Sequence, residues 1–218
     1  MPSVCCYLQV HQPLRVRIVD YFDGNKDREY FDQYKNKVIL EKVASRSYLP
    51  TIRLLNEMIH KHDGKFRFAL SFTGLVLEQM EKWTPQVLEG FKQLHRTGCV
   101  EILSETYHHS LASLFSATEF KEQVTLHAEI VERLFGAKPT VFRNTELIYS
   151  DRIGEMVFEM GYKGVVAEGA DQVLRGRSPN NVYRHPTRNL GLLLKNYQLS
   201  DDIAFRFNNK KWEHWPLT

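Results

Sequence analysis

Three carboxylates in two segments of the chain could carry acid–base or nucleophilic chemistry. Glu146 ends an apolar run, at a point where a strand is expected to give way to a helix. Asp201 and Asp202 interrupt a second apolar, strand-like run at 199–207. A single such Glu is more often a structural carboxylate, here paired with Arg143. Two acidic strand ends, however, allow one carboxyl group to act as base or nucleophile and the other as acid.

Further polar residues fall at or near the ends of other predicted strands. These residues are His11, Glu101, Glu105, His108, His109 and His185. Each has a structural explanation, since a lone His can simply hydrogen-bond within a loop and Glu101, inside its strand, can pair with a core Arg. In β/α architectures, however, ligands bind where the strands end. Convergence of polar groups from most of the chain is what an active site of that kind requires.

Strands and helices are predicted to alternate along the chain. Strands are expected at 4–10, 66–72, 99–103 and 163–168, and helices at 48–62, at 75–95 with a break near Thr84 and Pro85, from a capping box at 116–119 to Gly136, and after Ser150. The segment 14–37 shows no helical or strand-like periodicity of apolar residues. It is therefore predicted to be a long loop that lines one side of a site. Regular alternation of this kind favours parallel βα units in an α/β barrel or an open sheet.

Composition narrows the classes of partner. The 218 residues are 43% apolar, which supports a sizeable core, and 29 basic against 26 acidic residues leave a net charge of only +3. The basic residues are scattered, so nucleic-acid binding gets little support. No apolar run approaches the roughly 20 residues of a membrane span, and the chain is expected to be soluble and cytoplasmic. The odd set of cysteines, Cys5, Cys6 and Cys99, is expected to be buried thiols.

Several strings, in order, resemble the first four sequence regions of glycoside hydrolase family 57, most closely its α-amylase-like members. They are His11-Gln12-Pro13, Gly98-Cys99-Val100-Glu101 with Ser104-Glu105-Thr106-Tyr107-His108-His109-Ser110, Phe142-Arg143-Asn144-Thr145-Glu146-Leu147, and Leu199-Ser200-Asp201-Asp202-Ile203-Ala204-Phe205-Arg206-Phe207. Any one string is weak evidence. Four regions in the right order over most of the chain are a strong signal.

The resemblance implies an incomplete (β/α)7 barrel of parallel strands that acts on α-1,4-glucans with retention of anomeric configuration. It assigns Glu146 as the nucleophile and an Asp of the fourth region as acid/base, with Asp201 preferred to Asp202. The substrate-binding residues it implies are His11, Glu101, His109 and Arg143. A retaining mechanism needs no cofactor, only two carboxyl groups about 5 to 5.5 Å apart. Trp212 and Trp215 are candidates for stacking on sugar rings and equally for the core.

The chain departs from the family pattern in two ways that affect this interpretation of its function. Family members are typically longer, with a helical segment after the barrel, so residues 1–218 are expected to be the catalytic barrel without that segment. Some members have Trp where Arg143 stands, which argues against the glucanotransferase-type subgroup. Hydrolysis and transglycosylation differ only in the acceptor that reaches the glycosyl-enzyme, and both remain open at this point.

Two other functions are compatible with parts of the sequence. A metal-dependent polysaccharide deacetylase or mannosidase-like enzyme could bind a divalent ion through a set drawn from His11, His108 or His109, His185 and Asp201. That reading leaves Glu146 without a role and shows no compact metal-binding spacing. A truncated barrel that binds glucan without turning it over is the other alternative, and it predicts binding that survives replacement of Glu146 by Gln.

Overall fold

The computed structural model describes residues 3–18, 30–209 and 211, and it divides into two compact units, Met1–Pro139 and Thr140–Thr218. Part of the predicted loop at 14–37 lies outside the described residues, as do Trp212 and Trp215. No helix within the described ranges is long and apolar enough to cross a membrane.

The first unit is built from three parallel strands and the helices that connect them. Its elements are β1 (Tyr7–Val10), α1 (Gln33–Val43), a π-helical turn (Ala44–Tyr48), α2 (Leu49–Lys61), β2 (Phe68–Phe72), α3 (Gly74–Trp83), α4 (Pro85–Arg96), β3 (Val100–Leu103), α5 (Ala112–Phe115) and α6 (Ala117–Phe135). The strand order is β1-β2-β3, with Val10 opposite Phe72 and Ser71 opposite Leu103. The parallel pairing confirms the prediction of βα units for this part of the chain.

The sheet of the first unit has one face packed into the helical core and an opposite face that mixes polar with apolar residues, because successive side chains of a strand point to opposite sides. Core residues shared with the helices alternate along the strands, and they are Val10, Phe68, Leu70, Phe72, Val100 and Ile102. The opposite face includes Gln9, Ser71 and Glu101, which alternate with them. Polar side chains on a sheet face that is not part of the packed core are available to build a site.

Helix boundaries in the first unit follow the local signals. Ser116 caps α6, with its Oγ accepting from the Glu119 amide at 3.3 Å, and Gly136 ends that helix with a left-handed φ of 65°. Pro85 opens α4 directly after Thr84, so the predicted break is confirmed. Pro50 likewise lies in the first turn of α2.

Two expectations for the first unit are wrong. The predicted loop ends early because α1 begins at Gln33, where Asp32 accepts from the Lys35 amide at 2.8 Å and so supplies a cap for a largely polar helix. The strand predicted at 4–10 begins only at Tyr7 and pairs on one side with β2, which leaves it at the edge of its sheet. Consequently Cys5 and Cys6 are exposed, and of the three cysteines only Cys99 is buried as predicted.

The second unit contains a four-stranded sheet. Its elements are β4 (Val141–Arg143), a 3-10 turn (Thr145–Leu147), α7 (Asp151–Glu159), β5 (Gly164–Glu168), α8 (Asp171–Leu174), β6 (Tyr183–Arg184), β7 (Gly191–Lys195), α9 (Tyr197–Asp201) and a π-helical turn (Asp202–Arg206). The order is β4-β5-β7-β6, with β6 antiparallel to β7 and the other pairs parallel. The antiparallel β6 departs from the expected all-parallel arrangement.

The segment at 199–207 is helical, which corrects the prediction of a strand-like run. Asn196 ends the link after β7 and caps α9, with its Oδ1 accepting from the Leu199 amide at 3.0 Å. Ser200 Oγ donates to the Asn196 carbonyl at 2.8 Å, which further closes the first turn. Alternating apolar residues at 203–207 favoured a strand, but the cap begins a helix that continues as the π-helical turn.

Candidate active site

Side chains from all three strands of the first unit meet at the carboxyl end of its sheet. His11 follows β1, and its Nδ1 lies 2.9 Å from the hydroxyl oxygen of Thr73, which follows β2. The rings of His11 and His109 stack with centroids 4.5 Å apart. His109 lies in the segment after β3 and has a left-handed φ of 57°, a conformation that is uncommon outside glycine. The structure therefore brings together two of the residues predicted from sequence.

Glu105 also belongs to this cluster, and the sequence analysis noted it as a strand-end residue without assigning it a substrate-binding or catalytic role. Its side chain is fully buried, and one oxygen, Oε1, accepts from Ser71 Oγ at 2.6 Å. The other oxygen, Oε2, lies 3.5 Å from His109 Nδ1. The available signal was its position at the exit of a strand, two residues before Tyr107 and four before His109. A buried carboxylate held by a neighbouring strand is a candidate functional group, because burial of such a group is costly.

His127 supports the cluster from helix α6. The ring is fully buried, its Nε2–H donates to the Phe72 carbonyl at 2.6 Å, and its Nδ1 accepts from the Glu105 amide at 3.5 Å. Burial lowers the pKa of His127 below its ordinary value, while the nearby Glu105 carboxylate opposes that shift. The neutral ring therefore fits its two backbone contacts, one as donor and one as acceptor.

Glu101 shares a sheet face with this cluster but lies at a different depth. It pairs with Ala69 near the start of β3, four residues before Glu105. At about 3.3 Å per residue, that spacing corresponds to roughly 13 Å along the strand. Glu101 is exposed, whereas Glu105 is buried. The structure thus does not place Glu101 in the layer of His11, and its predicted contact with substrate stays a prediction.

Glu146 lies on a strained turn that links β4 to α7. The turn places Glu146 at φ 52° and ψ 22° and Leu147 at φ 56°, two consecutive residues in the left-handed region. For a residue with a Cβ atom, this conformation costs roughly 1–2 kcal/mol. Strain of this kind persists where surrounding structure determines it, and it is concentrated at functional sites. The expected strand-to-helix turn is confirmed, and its carboxylate is exposed while its neighbours Thr145 and Leu147 are buried.

Buried polar residues hold the turn in place. Asn144 Nδ2 donates to the Ile148 carbonyl at 2.9 Å, and the Leu147 amide donates back to the Asn144 carbonyl at 3.0 Å. Ser150 then caps α7 by accepting from the Ile153 amide at 3.3 Å. Arg143, the last residue of β4, is only 4% exposed. These contacts fix the backbone on both sides of Glu146.

The two candidate acids of the fourth region have different surroundings. Both Asp201 and Asp202 are half-buried, at the junction between α9 and the π-helical turn. Arg206 NH1 donates to Asp202 Oδ1 at 2.7 Å, one helical turn further on. The carboxylate of Asp202 therefore forms a local ion pair. This ion pair favours Asp201 over Asp202 as the candidate acid/base residue.

The strands that precede Glu146 and Asp201 have their carboxyl ends at the same end of the second unit's sheet. Glu146 follows β4 and Asp201 follows β7, and both strands flank β5 in parallel. Two inter-strand spacings of about 4.8 Å separate the strands by roughly 10 Å. That spacing applies to the strand ends and not to the two acids, because Asp201 lies six residues beyond β7, at the end of α9.

His185 has a structural role, which removes one ligand from the alternative metal site. It follows β6, so it leaves the sheet beside Gly191, where the parallel β7 begins. Its Nε2–H donates to the Asp151 carbonyl at 2.9 Å, and its Nδ1 lies 3.2 Å from the Arg188 amide. In the part of the chain that the structure describes, no three His, Cys, Asp or Glu side chains form a group able to hold a metal ion.

Parallel βα units with polar side chains gathered where the strands end define an α/β protein of the type that binds ligands at that edge. The family model described as "Glycosyl hydrolase family 57" matches residues 6–218. The chain belongs to that family, as its sequence regions indicated.

Known proteins similar to the chain include one curated relative and several solved structures. The relative, from Methanocaldococcus jannaschii, carries the name "Putative alpha-amylase" and is 43% identical over 212 residues, which are 96% of this chain and 45% of that protein. A 4-alpha-glucanotransferase from Thermococcus litoralis has a TM-score of 0.70 at 19% identity, over 93% of this chain and 29% of its own. The alpha-amylase AmyC from Thermotoga maritima has a TM-score of 0.67 at 13% identity, over 93% and 47%. The structural matches show the fold, and the chain spans less than half the length of each protein.

Proposed function

We propose that the chain is the catalytic part of a retaining glycoside hydrolase that acts on α-1,4-glucans. The observation that carries the proposal is Glu146 in a left-handed conformation at the exit of β4, within a chain of this hydrolase family. In the same proposal the two sheets belong to one incomplete (β/α)7 barrel, and the protein acts in the cytoplasm without a cofactor.

The proposed reaction has two steps. The Glu146 carboxylate attacks the anomeric carbon while the Asp201 carboxyl group gives its proton to the leaving oxygen, and the glycosidic carbon–oxygen bond breaks. Asp201, now a carboxylate, takes a proton from water, whose oxygen displaces Glu146 from the anomeric carbon. Two inversions at that carbon restore the original configuration. The exposed carboxylate of Glu146 and the half-buried one of Asp201 suit these two roles.

Substrate contacts in the proposal come from the residues at the strand ends. His11 and His109, stacked on one another, would hydrogen-bond hydroxyl groups of the sugar beside the bond that is broken. Glu101 and Arg143 complete the predicted set of substrate-binding residues. Since Arg143 stands where some family members have Trp, we favour hydrolysis over glucan transfer as the main reaction.

The experiment is incubation with soluble starch and with a maltooligosaccharide series, for the wild type, Glu146→Gln and Asp201→Asn. We expect shorter or longer glucans from the wild type and a loss of at least about a hundredfold in rate for each variant. Glu89→Gln, which changes an exposed carboxylate on α4 paired with Arg96, is the matched control and should keep full activity.

The outcomes separate the proposal from its alternatives. Equal activity of wild type and Glu146→Gln contradicts the nucleophile assignment. Activity that depends on an added divalent ion and survives Glu146→Gln favours the metal-dependent alternative. Glucan binding without turnover by the folded protein, unchanged in Glu146→Gln, favours a non-catalytic glucan-binding barrel.

A further inference from the structure

The short helix that carries Asp201 is joined to a neighbouring helix by a hydrogen bond between two side chains, Tyr197 on α9 and Asp171 on α8. We propose that Tyr197 and Asp171 are positioning residues, which hold α9 so that the Asp201 carboxyl group faces the leaving oxygen in the first step of the reaction. The link between the two helices concerns the protein alone, whereas its effect on catalysis rests on the proposed function.

Helix α9 has little packing of its own. It contains five residues, Tyr197–Asp201, and none of them is buried, nor is any residue of the π-helical turn that follows. A helix of this length is not stable in water through its own hydrogen bonds. Polar contacts at its first turn are therefore important for its direction.

Hydrogen bonds join the start of α9 to the connection between β5 and β6, residues 169–182. Tyr197 Oη donates to Asp171 Oδ2 at 2.8 Å. Asn196 Nδ2 donates to Asn180 Oδ1 at 3.1 Å, while its own Oδ1 caps the helix by accepting from the Leu199 amide. The connection thus contacts both the cap of α9 and its first residue.

The backbone of the same connection lies directly against the chain before α9. A Cβ atom added to Gly169 would lie 2.6 Å from the carbonyl oxygen of Lys195 and 3.0 Å from the Cβ atom of Pro179. Only a residue without a side chain fits this close approach. This backbone contact fixes where β7 ends, and the side-chain hydrogen bonds then set the direction in which α9 leaves it.

Tyr197 and Asp201 lie four residues apart on α9, so they share one face of the helix. The Cα–Cβ bonds of a helix tilt toward its N-terminus, which directs the Asp201 side chain back over the turn of Tyr197. The pKa of Tyr197 is raised, first by its hydrogen bond to Asp171 and by the charge of that carboxylate, and to a smaller extent by the charge of Asp201. A change at Tyr197 therefore acts on the face that carries Asp201.

Substrates with different leaving groups separate a misplaced acid from a general loss of activity. In the proposed reaction Asp201 gives its proton to the leaving oxygen, and a sugar alcohol needs that proton far more than a fluoride ion does. The ratio kcat/KM reports the stabilisation of the first transition state. A variant with a misplaced acid should therefore lose kcat/KM on maltoheptaose and keep most of it on α-maltosyl fluoride.

Tyr197→Phe and Asp171→Ala remove the hydrogen bond from either side. We expect each to lower kcat/KM about tenfold on maltoheptaose and less than about twofold on α-maltosyl fluoride. Asp171→Asn keeps an oxygen for the hydroxyl group and should stay within about threefold of the wild type on both substrates. Tyr183→Phe is the matched control, because it removes a hydroxyl contact of 2.7 Å to the Ser178 carbonyl in the same unit, and it should behave as the wild type.

Asp201→Asn, measured beside these variants, separates the two possible failures. If it loses equally on both substrates, or if the wild type cleaves neither, the proposed function fails. If it loses chiefly on maltoheptaose while Tyr197→Phe keeps full activity or loses equally on both, the positioning role is overturned. Equal losses in Asp171→Asn and Asp171→Ala overturn the hydrogen bond as the link.

Hydrogen exchange tests the link between α9 and α8 without any substrate. The Leu199 amide donates to Asn196 Oδ1 and the Ser200 amide to the Asn196 carbonyl, so their exchange rates report opening of the first turn. We expect up to about tenfold faster exchange in Tyr197→Phe, since one hydrogen bond is lost, and unchanged exchange in Tyr183→Phe. Unchanged exchange in Tyr197→Phe overturns the proposal, whatever the activity of the wild type.

Discussion

His127 Nε2–H donates to the carbonyl oxygen of Phe72 across 2.6 Å, so helix α6 is bonded to the last residue of strand β2. The ring is fully buried, and burial lowers its pKa because a charged imidazole loses its hydration there. The neutral ring also accepts from the amide of Glu105. A proton added to His127 would remove that acceptor beneath the candidate site.

The first prediction is a loss of stability at mildly acidic pH. Because the pKa of His127 is lower in the folded than in the unfolded chain, the folded chain binds fewer protons there. The stabilisation is fully present above the ordinary histidine pKa of about 6.5 and decreases as the pH falls below it toward the folded value. We expect urea denaturation between about pH 7.5 and about pH 5.5 to show this decrease, and His127→Gln to reduce it.

An exposed histidine provides the control for that experiment. His60 is exposed on α2, and its Nδ1 lies 2.7 Å from the Asn56 carbonyl one helical turn earlier. His60→Gln should keep the pH dependence of the wild type. A His127→Gln curve parallel to that of the wild type over the whole range would contradict the assignment.

The second prediction concerns Gly74, the first residue of α3. A Cβ atom at this position would overlap the ring of Tyr107, whose carbonyl accepts from the Leu75 amide at 3.3 Å. Overpacking of this kind costs about 1–3 kcal/mol. Gly74→Ala should lower the free energy of unfolding by that amount and, because Tyr107 lies two residues before His109, also raise KM for maltoheptaose.

Gly136→Ala separates the kinetic effect from general destabilisation. Gly136 ends α6 with a left-handed φ, and nothing lies within 4 Å of an added Cβ atom. The variant should lose about 1 kcal/mol through its backbone and keep its KM. If KM for maltoheptaose changes equally in Gly74→Ala and Gly136→Ala, the predicted effect of the Tyr107 contact on substrate binding is wrong.

The third prediction tests the strain at Glu146 by stability alone. In a left-handed conformation Gly is favoured over residues with a Cβ atom, so Glu146→Gly should be more stable than Glu146→Ala by about 1 kcal/mol. Glu122, exposed on α6, should show the opposite order, since Gly costs about 1 kcal/mol relative to Ala within a helix. Urea denaturation of the four variants measures both differences. The same order at both positions would contradict the left-handed assignment.

The fourth prediction separates the neighbouring acids. Asp202→Asn removes an ion pair with an Arg206 side chain that is half-exposed, which should change stability by less than about 1 kcal/mol. Its activity on maltoheptaose should stay within about fivefold of the wild type, while Asp201→Asn loses at least about a hundredfold. The reverse order of activities would assign the acid/base role to Asp202.

Local signals explain the parts of the fold that sequence analysis predicted. Ser116, Gly136 and Pro85 act through the backbone of their own turn, so each fixes a helix end whatever surrounds it. The turn at Glu146 was likewise marked by the end of an apolar run and by the cap at Ser150.

The missed features depend on partners distant in sequence. Glu105 is buried through Ser71 and packed above His127, residues 34 and 22 positions away, and its sequence gives no sign of either contact. The alternation around Phe205 is shared by strands and short helices, so the pattern alone could not exclude a strand. His185 was assigned to a strand end that faces ligands because nothing in its sequence shows that β6 runs antiparallel.

The central claim is that Glu146 forms a covalent bond to the sugar. The most direct measurement is mass spectrometry of the protein after reaction with a fluorinated glucosyl fluoride, which forms the glycosyl-enzyme and slows its hydrolysis, followed by peptide mapping. We predict one added glycosyl group on the peptide that contains Glu146 in the wild type, and none in Glu146→Gln. A group on another carboxylate, or cleavage of maltoheptaose with inverted configuration and no labelled peptide, would contradict it.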